Sequence, residues 1–192
     1  VAAALEEGVI TKNSTFNCSG KITVGDRDIN CHLHSGHGTL SVEEIMAQSC
    51  NPGLNQTAQK LGAEKFYKYQ KEFGFGQKTG INLPGEAEGI LHAESQLRPV
   101  ELATSSFGQT FNCTSIQMAT AFSALINGGN LVRPYLVSQI VDDDGSVVKE
   151  QTAEVVRKVI SRKTSDYIRT ALKATVDHGT GKKIAIPGYS IG

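Results

Sequence analysis

The chain has 192 residues, long enough for one or two domains with a sizeable hydrophobic core. Its 19 Lys and Arg residues balance its 19 Asp and Glu residues, and no block of like charge stands out. The charge therefore gives no support to binding of nucleic acid or of an anionic membrane surface, and no apolar run approaches the roughly 20 residues of a membrane span.

The first half of the chain combines a turn-rich segment with short helices. "AAALEEG" predicts a helix, and residues 11–40, rich in Gly, Asn, Asp and Ser, predict short extended pieces and turns. Ser41 and Glu44 have the spacing of a capping box at the start of a helix over "SVEEIMAQS". A second helix is predicted after Pro52-Gly53, over "LNQTAQKLG", and an amphipathic third one over "AEKFYKYQKEFGFG".

The second half begins with residues 75–100, which predict mostly loop. "SIQMATAFSALINGG" is the strongest helix pattern, with apolar residues such as Met118, Phe122 and Ile126. "RPYLVSQIVDDDGSVVKE" predicts a β-hairpin around an Asp-Gly turn, and "SRKTSDYIRTALKATVDHGTG" predicts a last helix. Because there are no repeats or linkers, we expect one compact α+β unit that is mostly helical.

Five stretches of the chain resemble one family in order and spacing. They are "GHGTLSVEEIMAQSCN", "MAQSCNPGLNQTAQKLG", "FGFGQKTGINLPGE", "LATSSFGQTFNCTSIQMATAFSALINGGNLVRPYLV" and "ALKATVDHGTGKKIAIPGYSIG". Together they cover nearly the whole chain. The chain resembles the transpeptidase domain of class B penicillin-binding proteins, of the elongation, division or sporulation type.

The active sites of this family are defined by three short motifs, S-x-x-K, S-x-N and K-T-G. Ser49-Cys50-Asn51 matches S-x-N, and the resemblance implies that Ser49 relays a proton and that the Asn51 amide holds the substrate backbone. No S-x-x-K stands in a suitable place, because "NSTFN" has Asn17 where the lysine is needed. Ser14 of that stretch therefore lacks the adjacent base that a serine nucleophile requires.

Lys78-Thr79-Gly80 has the letters of the third motif but not its position. In the family, the catalytic K-T-G lies on a strand much further beyond S-x-N, whereas "GQKTGINLPGE" is a structural loop. The resemblance therefore implies that Lys78 is not catalytic. Sequence like "IPGYSIG" normally precedes the true K-T-G directly, so we expect that motif to follow Gly192.

Cys18, Cys31 and His37 occur within one loop region, and Cys50 is the middle residue of the S-x-N match. Three interpretations are open: a structural zinc ion bound by these four residues, a Cys18–Cys31 disulfide, or separate buried thiols. His37 is the preferred imidazole ligand, because its flanking glycines let the backbone approach a ligand closely. The irregular spacing does not decide between the three.

The resemblance implies that residues 1–192 are a partial transpeptidase domain, truncated at both ends. We expect a penicillin-binding-protein/β-lactamase-like fold that lacks most of its central antiparallel sheet. The parent protein would cross-link peptidoglycan stem peptides by serine acyl transfer, bind β-lactams and need no cofactor for catalysis. It would lie at the extracytoplasmic face of the bacterial membrane, anchored by an N-terminal helix outside this chain.

Without a nucleophile and a catalytic K-T-G, the 192-residue chain by itself is expected to be inactive. We also expect it to self-associate, because a missing sheet would leave apolar helix faces uncovered. The alternative is a non-catalytic extracytoplasmic binding module on the same scaffold, stapled by zinc or by a disulfide.

Overall fold

A computed structural model describes residues 1–192 as seven α-helices and four pairs of β-strands. The helices are α1 (Ala2–Glu6), α2 (Val42–Ala47), α3 (Asn51–Leu61), α4 (Ala63–Glu72), α5 (Pro99–Ser105), α6 (Ser115–Ile126) and α7 (Arg162–Asp177). The strands are β1 (Thr15–Cys18), β2 (Lys21–Val24), β3 (Arg27–Asn30), β4 (Gly38–Ser41), β5 (Asn130–Val132), β6 (Gln139–Val141), β7 (Val147–Glu150) and β8 (Val155–Lys158). The predicted α+β, mostly helical class is confirmed.

All four strand pairs are antiparallel and separate from one another. They are β1–β4, β2–β3, β5–β8 and β6–β7, and no sheet has more than two strands. In the first pair Phe16 lies opposite Leu40, and both side chains are buried. The β6–β7 pair is the predicted hairpin, with the Asp144-Gly145 turn between its strands.

The start of α2 agrees with the sequence prediction, and the start of α3 does not. Ser41 Oγ accepts the Glu44 backbone N–H, and the Glu44 carboxylate accepts the Ser41 backbone N–H at 2.7 Å, which completes the capping box. Helix α3 begins at Asn51, so the prediction of a start after Pro52-Gly53 is wrong. Proline fits the first turn of a helix because its missing N–H would have no partner there.

The region after α4 was only partly predicted. Residues 75–98 are mostly loop, with one short 3₁₀ turn at Glu94–Gln96. Helix α5, which begins with Pro99 in its first turn, was not predicted from the sequence. Strand β8 follows the β6–β7 hairpin in the chain and pairs with β5, which precedes it. This strand was also not predicted.

Two buried clusters form most of the core. The first joins α1, the β1–β4 pair, α2 and the end of α3, and it consists of Ala4, Ile10, Phe16, Cys18, Cys31, Leu40, Val42, Ile45, Cys50 and Leu61. The second joins α1, α4, α6, α7 and the β5–β8 region, and it consists of Ala2, Tyr69, Phe73, Ala121, Ala124, Leu131, Val159, Ile160 and Ile168. Three of the four cysteines are therefore core residues.

Helix α6 leaves several of its large apolar side chains exposed. Met118, Phe122 and Ile126, which follow one another at helical spacing, are 36%, 46% and 46% exposed. The buried positions include Gln117 and Ala121. A stripe of large apolar side chains thus faces outward along this helix. No helix of the chain combines the length and apolar composition that crossing a bilayer requires.

Candidate active site

The candidate site is built around the S-x-N turn, Ser49-Cys50-Asn51, which joins the end of α2 to the start of α3. Ser49 has a φ of 48°, in the left-handed region that L-residues other than glycine, Asn and Asp rarely adopt. Its side chain is exposed, and its hydroxyl makes no hydrogen bond within the chain. Such strained positions persist where the surrounding structure holds them, often at functional sites.

Hydrogen bonds hold the S-x-N turn against the preceding helix. The Ser49 N–H donates to the Met46 carbonyl at 3.0 Å, and the Cys50 N–H donates to the Ile45 carbonyl at 2.9 Å. These bonds close the last turn of α2 and point the Ser49 side chain away from the core. The turn therefore presents a hydroxyl on a fixed backbone.

Asn51 links the same turn to the β2–β3 pair. Its Nδ2 donates to the Asn30 carbonyl oxygen, 2.9 Å away at the end of β3. Its Oδ1 accepts no hydrogen bond within the chain and is available to a ligand's N–H. Part of this amide is thus structural, and the predicted contact with a substrate backbone stays a prediction.

The loop after α7 supports the turn from another side. The Thr180 N–H donates to the Ala47 carbonyl at 2.9 Å. A Cβ on Gly179 would lie 2.2 Å from that same oxygen, so only glycine allows this approach. The "HGTG" stretch therefore positions the end of α2, directly before Ser49.

Ser49 lies at the edge of an apolar groove with a cavity volume of about 420 Å³. The groove runs between α1, α3, α4, α6 and α7, and its lining includes Val1, Met46, Leu54, Phe66, Phe122 and Leu172. Only a few polar side chains, Ser49 among them, reach into it. A concave, mostly apolar surface with a few polar groups is the usual composition of a ligand pocket.

Lys78-Thr79-Gly80 lies in a loop, as the sequence analysis predicted, and lines a different cavity from Ser49. The Glu86 carboxylate accepts the Thr79 backbone N–H and hydroxyl, each at 2.6 Å, and the Gly80 N–H at 3.1 Å. The carboxylate-binding groups of this tripeptide are thus occupied by the chain's own glutamate. Lys78 itself is exposed.

Replacing Glu86 with glutamine should destabilise this loop. Partial burial opposes ionisation of Glu86, but hydrogen bonds from Thr79 and Gly80 hold its pKa below the ordinary value. The charged form therefore adds its full stability at pH values above the pKa that Glu86 has in the unfolded chain. This stability is lost as the pH falls through the lowered pKa of the folded state. We expect Glu86→Gln to cost about 1 kcal/mol at pH 7 and almost nothing at low pH.

Denaturant unfolding of the protein at pH 7 and pH 3 measures this difference. Glu88→Gln is the matched control, because the Glu88 side chain is exposed and makes no hydrogen bond. An equal loss for Glu86→Gln at both pH values would show that the carboxylate charge is not the cause.

The chain has one sequence match to S-x-x-K, at residues 146–149, and it lies on the β6–β7 hairpin. A strand directs alternate side chains to opposite faces, so Lys149 is not one helical turn from Ser146. Ser14 immediately precedes β1, and Asn17 lies on that strand, as expected for a stretch that does not open a helix. Neither serine has the geometry of an activated nucleophile.

Beneath the S-x-N turn, the structure brings together the four residues singled out as metal ligands. We refer to Cys18, Cys31, His37 and Cys50 as the thiol–imidazole cluster. Each of the four residues contributes one possible ligand atom, and these four atoms all lie within 4.8 Å of one another. Cys31 Sγ is 3.5 Å from His37 Nδ1. All four cysteines of the chain are free thiols, so the Cys18–Cys31 disulfide is not formed in this structure.

The thiols of the cluster have unequal pKa values. Burial opposes ionisation of Cys18, but hydrogen bonds from the backbones of His37 and Gly20 and from two side chains lower its pKa to about 6. Burial and the neighbouring Cys18 raise the pKa of Cys50 to about 12. A lone thiolate at Cys18 thus makes ionisation of a second thiol unfavourable unless a cation is present.

Comparison with known proteins shows the family of the chain. Residues 1–192 match the family described as the penicillin binding protein transpeptidase domain. Stage V sporulation protein D of Bacillus subtilis is 42% identical over 194 residues, covering 100% of this chain and 30% of that protein. The chain thus spans about 30% of the length of the curated relatives it matches first.

Two solved structures share the fold. The D,D-transpeptidase domain of a peptidoglycan glycosyltransferase from Eggerthella lenta superposes with a TM-score of 0.89 at 25% identity, over 98% of this chain and 49% of that one. Penicillin-binding protein 3 of Mycobacterium tuberculosis, complexed with aztreonam, has a TM-score of 0.87 at 28% identity, over 98% and 43% of the two chains. The chain belongs to the penicillin-binding protein transpeptidase family.

Proposed function

We propose that this chain is the S-x-N-bearing part of a peptidoglycan D,D-transpeptidase. The observation that carries the proposal is the S-x-N turn itself, with Ser49 held in a left-handed conformation at the edge of an apolar groove. The family match over residues 1–192 supports it, as does the likeness to a named D,D-transpeptidase domain. The reaction class is serine acyl transfer between stem peptides, which needs no cofactor.

In this proposal the S-x-N turn acts together with a serine nucleophile that lies outside residues 1–192. A serine nucleophile would attack the carbonyl of a D-Ala-D-Ala stem peptide and release D-Ala, and the amine of a second stem peptide would then take the acyl group. The Ser49 hydroxyl can pass a proton because it has no competing partner in the chain. The free Oδ1 of Asn51 can accept a substrate backbone N–H.

The motifs that the chain contains indicate which parts of the active site would lie outside it. Its Lys78-Thr79-Gly80 is occupied by Glu86, and neither Ser14 nor Ser146 has the geometry of an activated nucleophile. We therefore propose that the nucleophile, the catalytic K-T-G and most of the central sheet lie in parts of the domain beyond residues 1–192. The coverage of only 49% of the Eggerthella lenta domain supports this partial-domain interpretation.

The outward stripe on α6 fits the same proposal. Met118, Phe122 and Ile126 form a contiguous apolar face that a neighbouring layer of the domain would cover. By itself, the 192-residue chain should bury this face by self-association. We place the whole protein at the extracytoplasmic face of the membrane, where stem peptides occur.

Covalent labelling by a fluorescent penicillin tests the proposal. We expect the full-length protein to be labelled and residues 1–192 alone to remain unlabelled, because a penicillin traps the serine nucleophile as a stable acyl-enzyme. Labelling of residues 1–192 alone would contradict the proposed division. A natively folded full-length protein that is not labelled would instead favour the non-catalytic binding module.

A further inference from the structure

The thiol–imidazole cluster is the largest group of reactive side chains that the proposed acyl transfer leaves unused. Cys18 and Cys31 are each 1% exposed, and Cys50 is fully buried. His37 is half-buried, and its ring approaches the sulfur of Cys31. These groups come from four places in the chain: the end of β1, the residue after β3, the residue before β4, and the S-x-N turn.

The distances in the cluster match a four-coordinate metal site. With zinc–sulfur bonds of about 2.3 Å, two sulfurs of a tetrahedral site lie about 3.8 Å apart. The ligand atoms here are separated by at most 4.8 Å, so shifts of about 1 Å or less would complete the geometry. The convergence of three thiols with an imidazole therefore favours a shared ligand over separate buried thiols.

Backbone packing around the cluster is unusually close. A Cβ on Gly20 would lie 2.0 Å from the His34 carbonyl oxygen, and a Cβ on Gly36 would lie 2.3 Å from the Cys18 carbonyl oxygen. Both glycines have positive φ. These two positions let the loop after β1 and the loop before His37 come together, which brings their ligand side chains to one point.

We propose that the thiol–imidazole cluster binds one Zn²⁺ as a closed structural site that fastens the S-x-N turn to the β1–β4 and β2–β3 strand pairs. Three thiolates and one imidazole form a soft donor set that suits zinc and excludes Mg²⁺ and Ca²⁺, which take oxygen ligands. The burial of all three sulfurs leaves no open coordination position for a substrate. The metal's role is therefore to hold structure.

The consequence for the active site follows from the position of Cys50. It lies between Ser49 and Asn51 and is the residue that precedes α3. A metal bond to its sulfur would fix the turn from below, in addition to the Asn51–Asn30 hydrogen bond. Loss of the metal should leave the turn held only by hydrogen bonds and loosen the placement of the Ser49 hydroxyl.

Metal analysis of the full-length protein, purified without an affinity metal, tests the site directly. We expect about one zinc per chain, and Co²⁺ exchange should give the intense absorption of thiolate-to-cobalt charge transfer. His37→Ala should weaken zinc binding by more than the 10–100-fold that losing an outer-shell partner typically costs. Cys50→Ser should do the same, whereas Cys113→Ser, outside the cluster, should leave zinc content unchanged.

Several results would overturn the proposal. One is less than about a tenth of an equivalent of zinc after reconstitution with zinc under reducing conditions. Another is pairwise protection of the cluster cysteines from alkylation that a reductant reverses, which would identify a disulfide. The Co²⁺ spectrum of the unmodified protein keeps the test decisive if the variants do not fold. None of these readouts depends on penicillin labelling, so the zinc site and the transpeptidase proposal can fail separately.

Discussion

Replacing Ser49 with alanine in the full-length protein should lower the rate of acylation by a penicillin about 100-fold or more. The reason is that proton transfer by a positioned side chain typically contributes about 10²–10⁴-fold to a reaction rate. Stability should change little, because the Ser49 side chain is exposed and makes no hydrogen bond in the chain. Stopped-flow acylation kinetics and denaturant unfolding measure the two effects.

Ser49→Gly is the informative companion variant. At a φ of 48°, glycine relieves the left-handed strain and should raise the free energy of unfolding by up to about 1 kcal/mol. Acylation should nevertheless fall as far as in Ser49→Ala, because the hydroxyl is lost in both. A variant that becomes more stable while losing activity separates a catalytic role from a structural one. If Ser49→Gly kept the normal acylation rate, the proton-relay role would be excluded.

Local sequence patterns predicted the parts of this fold that depend on neighbouring residues. The Ser41–Glu44 capping box joins residues three apart, and the S-x-N turn lies between two helices that each have their own apolar pattern. The loop character of Lys78-Thr79-Gly80 followed from its position in the family pattern. Only the structure could identify Glu86 as the hydrogen-bond partner of this loop.

The features that were missed depend on contacts between distant residues. Gln117 is buried on α6 because its Nε2 donates to the carbonyls of Gln77 and Glu88, 40 and 29 residues away. No periodicity count can anticipate such a partner, so the buried position of Gln117 could not be predicted from the sequence. Helix α5 was missed because "PVELATS" is too short to show a helical period.

The thiol–imidazole cluster was predicted only in part from the sequence. Its residues were singled out as a set, but their irregular spacing left zinc, a disulfide and separate thiols open. Pairing of β1 with β4 and packing of α3 on β1 bring Cys18, His37 and Cys50 together. Convergence of this kind is a property of the tertiary fold, and the chain order does not show it.

Gly53→Ala should destabilise the S-x-N turn, although the position is helical. Helix propensity alone would favour alanine by about 1 kcal/mol. A Cβ at this position, however, would lie 2.4 Å from Ile45 Cγ2 and 3.0 Å from Ile45 Cβ, and Ile45 is fully buried. Overpacking of a core typically costs about 1–3 kcal/mol, so we expect a net loss of roughly 2 kcal/mol. Because the Ile45 carbonyl accepts the Cys50 N–H, displacing Ile45 should also slow penicillin acylation.

A double-mutant cycle with Ile45→Ala identifies the cause of that loss. Ile45→Ala removes the clashing Cγ2 and alone should cost about 2–5 kcal/mol through the cavity it leaves. If the clash is real, the double variant should lose clearly less free energy of unfolding than the sum of the two single variants, because the new methyl group fills part of the cavity. Additive losses would mean that Gly53 acts elsewhere, and a stabilising Gly53→Ala would show that α3 does not approach α2 this closely. Gln59→Ala, on the exposed face of α3, should change stability by less than about 0.5 kcal/mol and serves as the control.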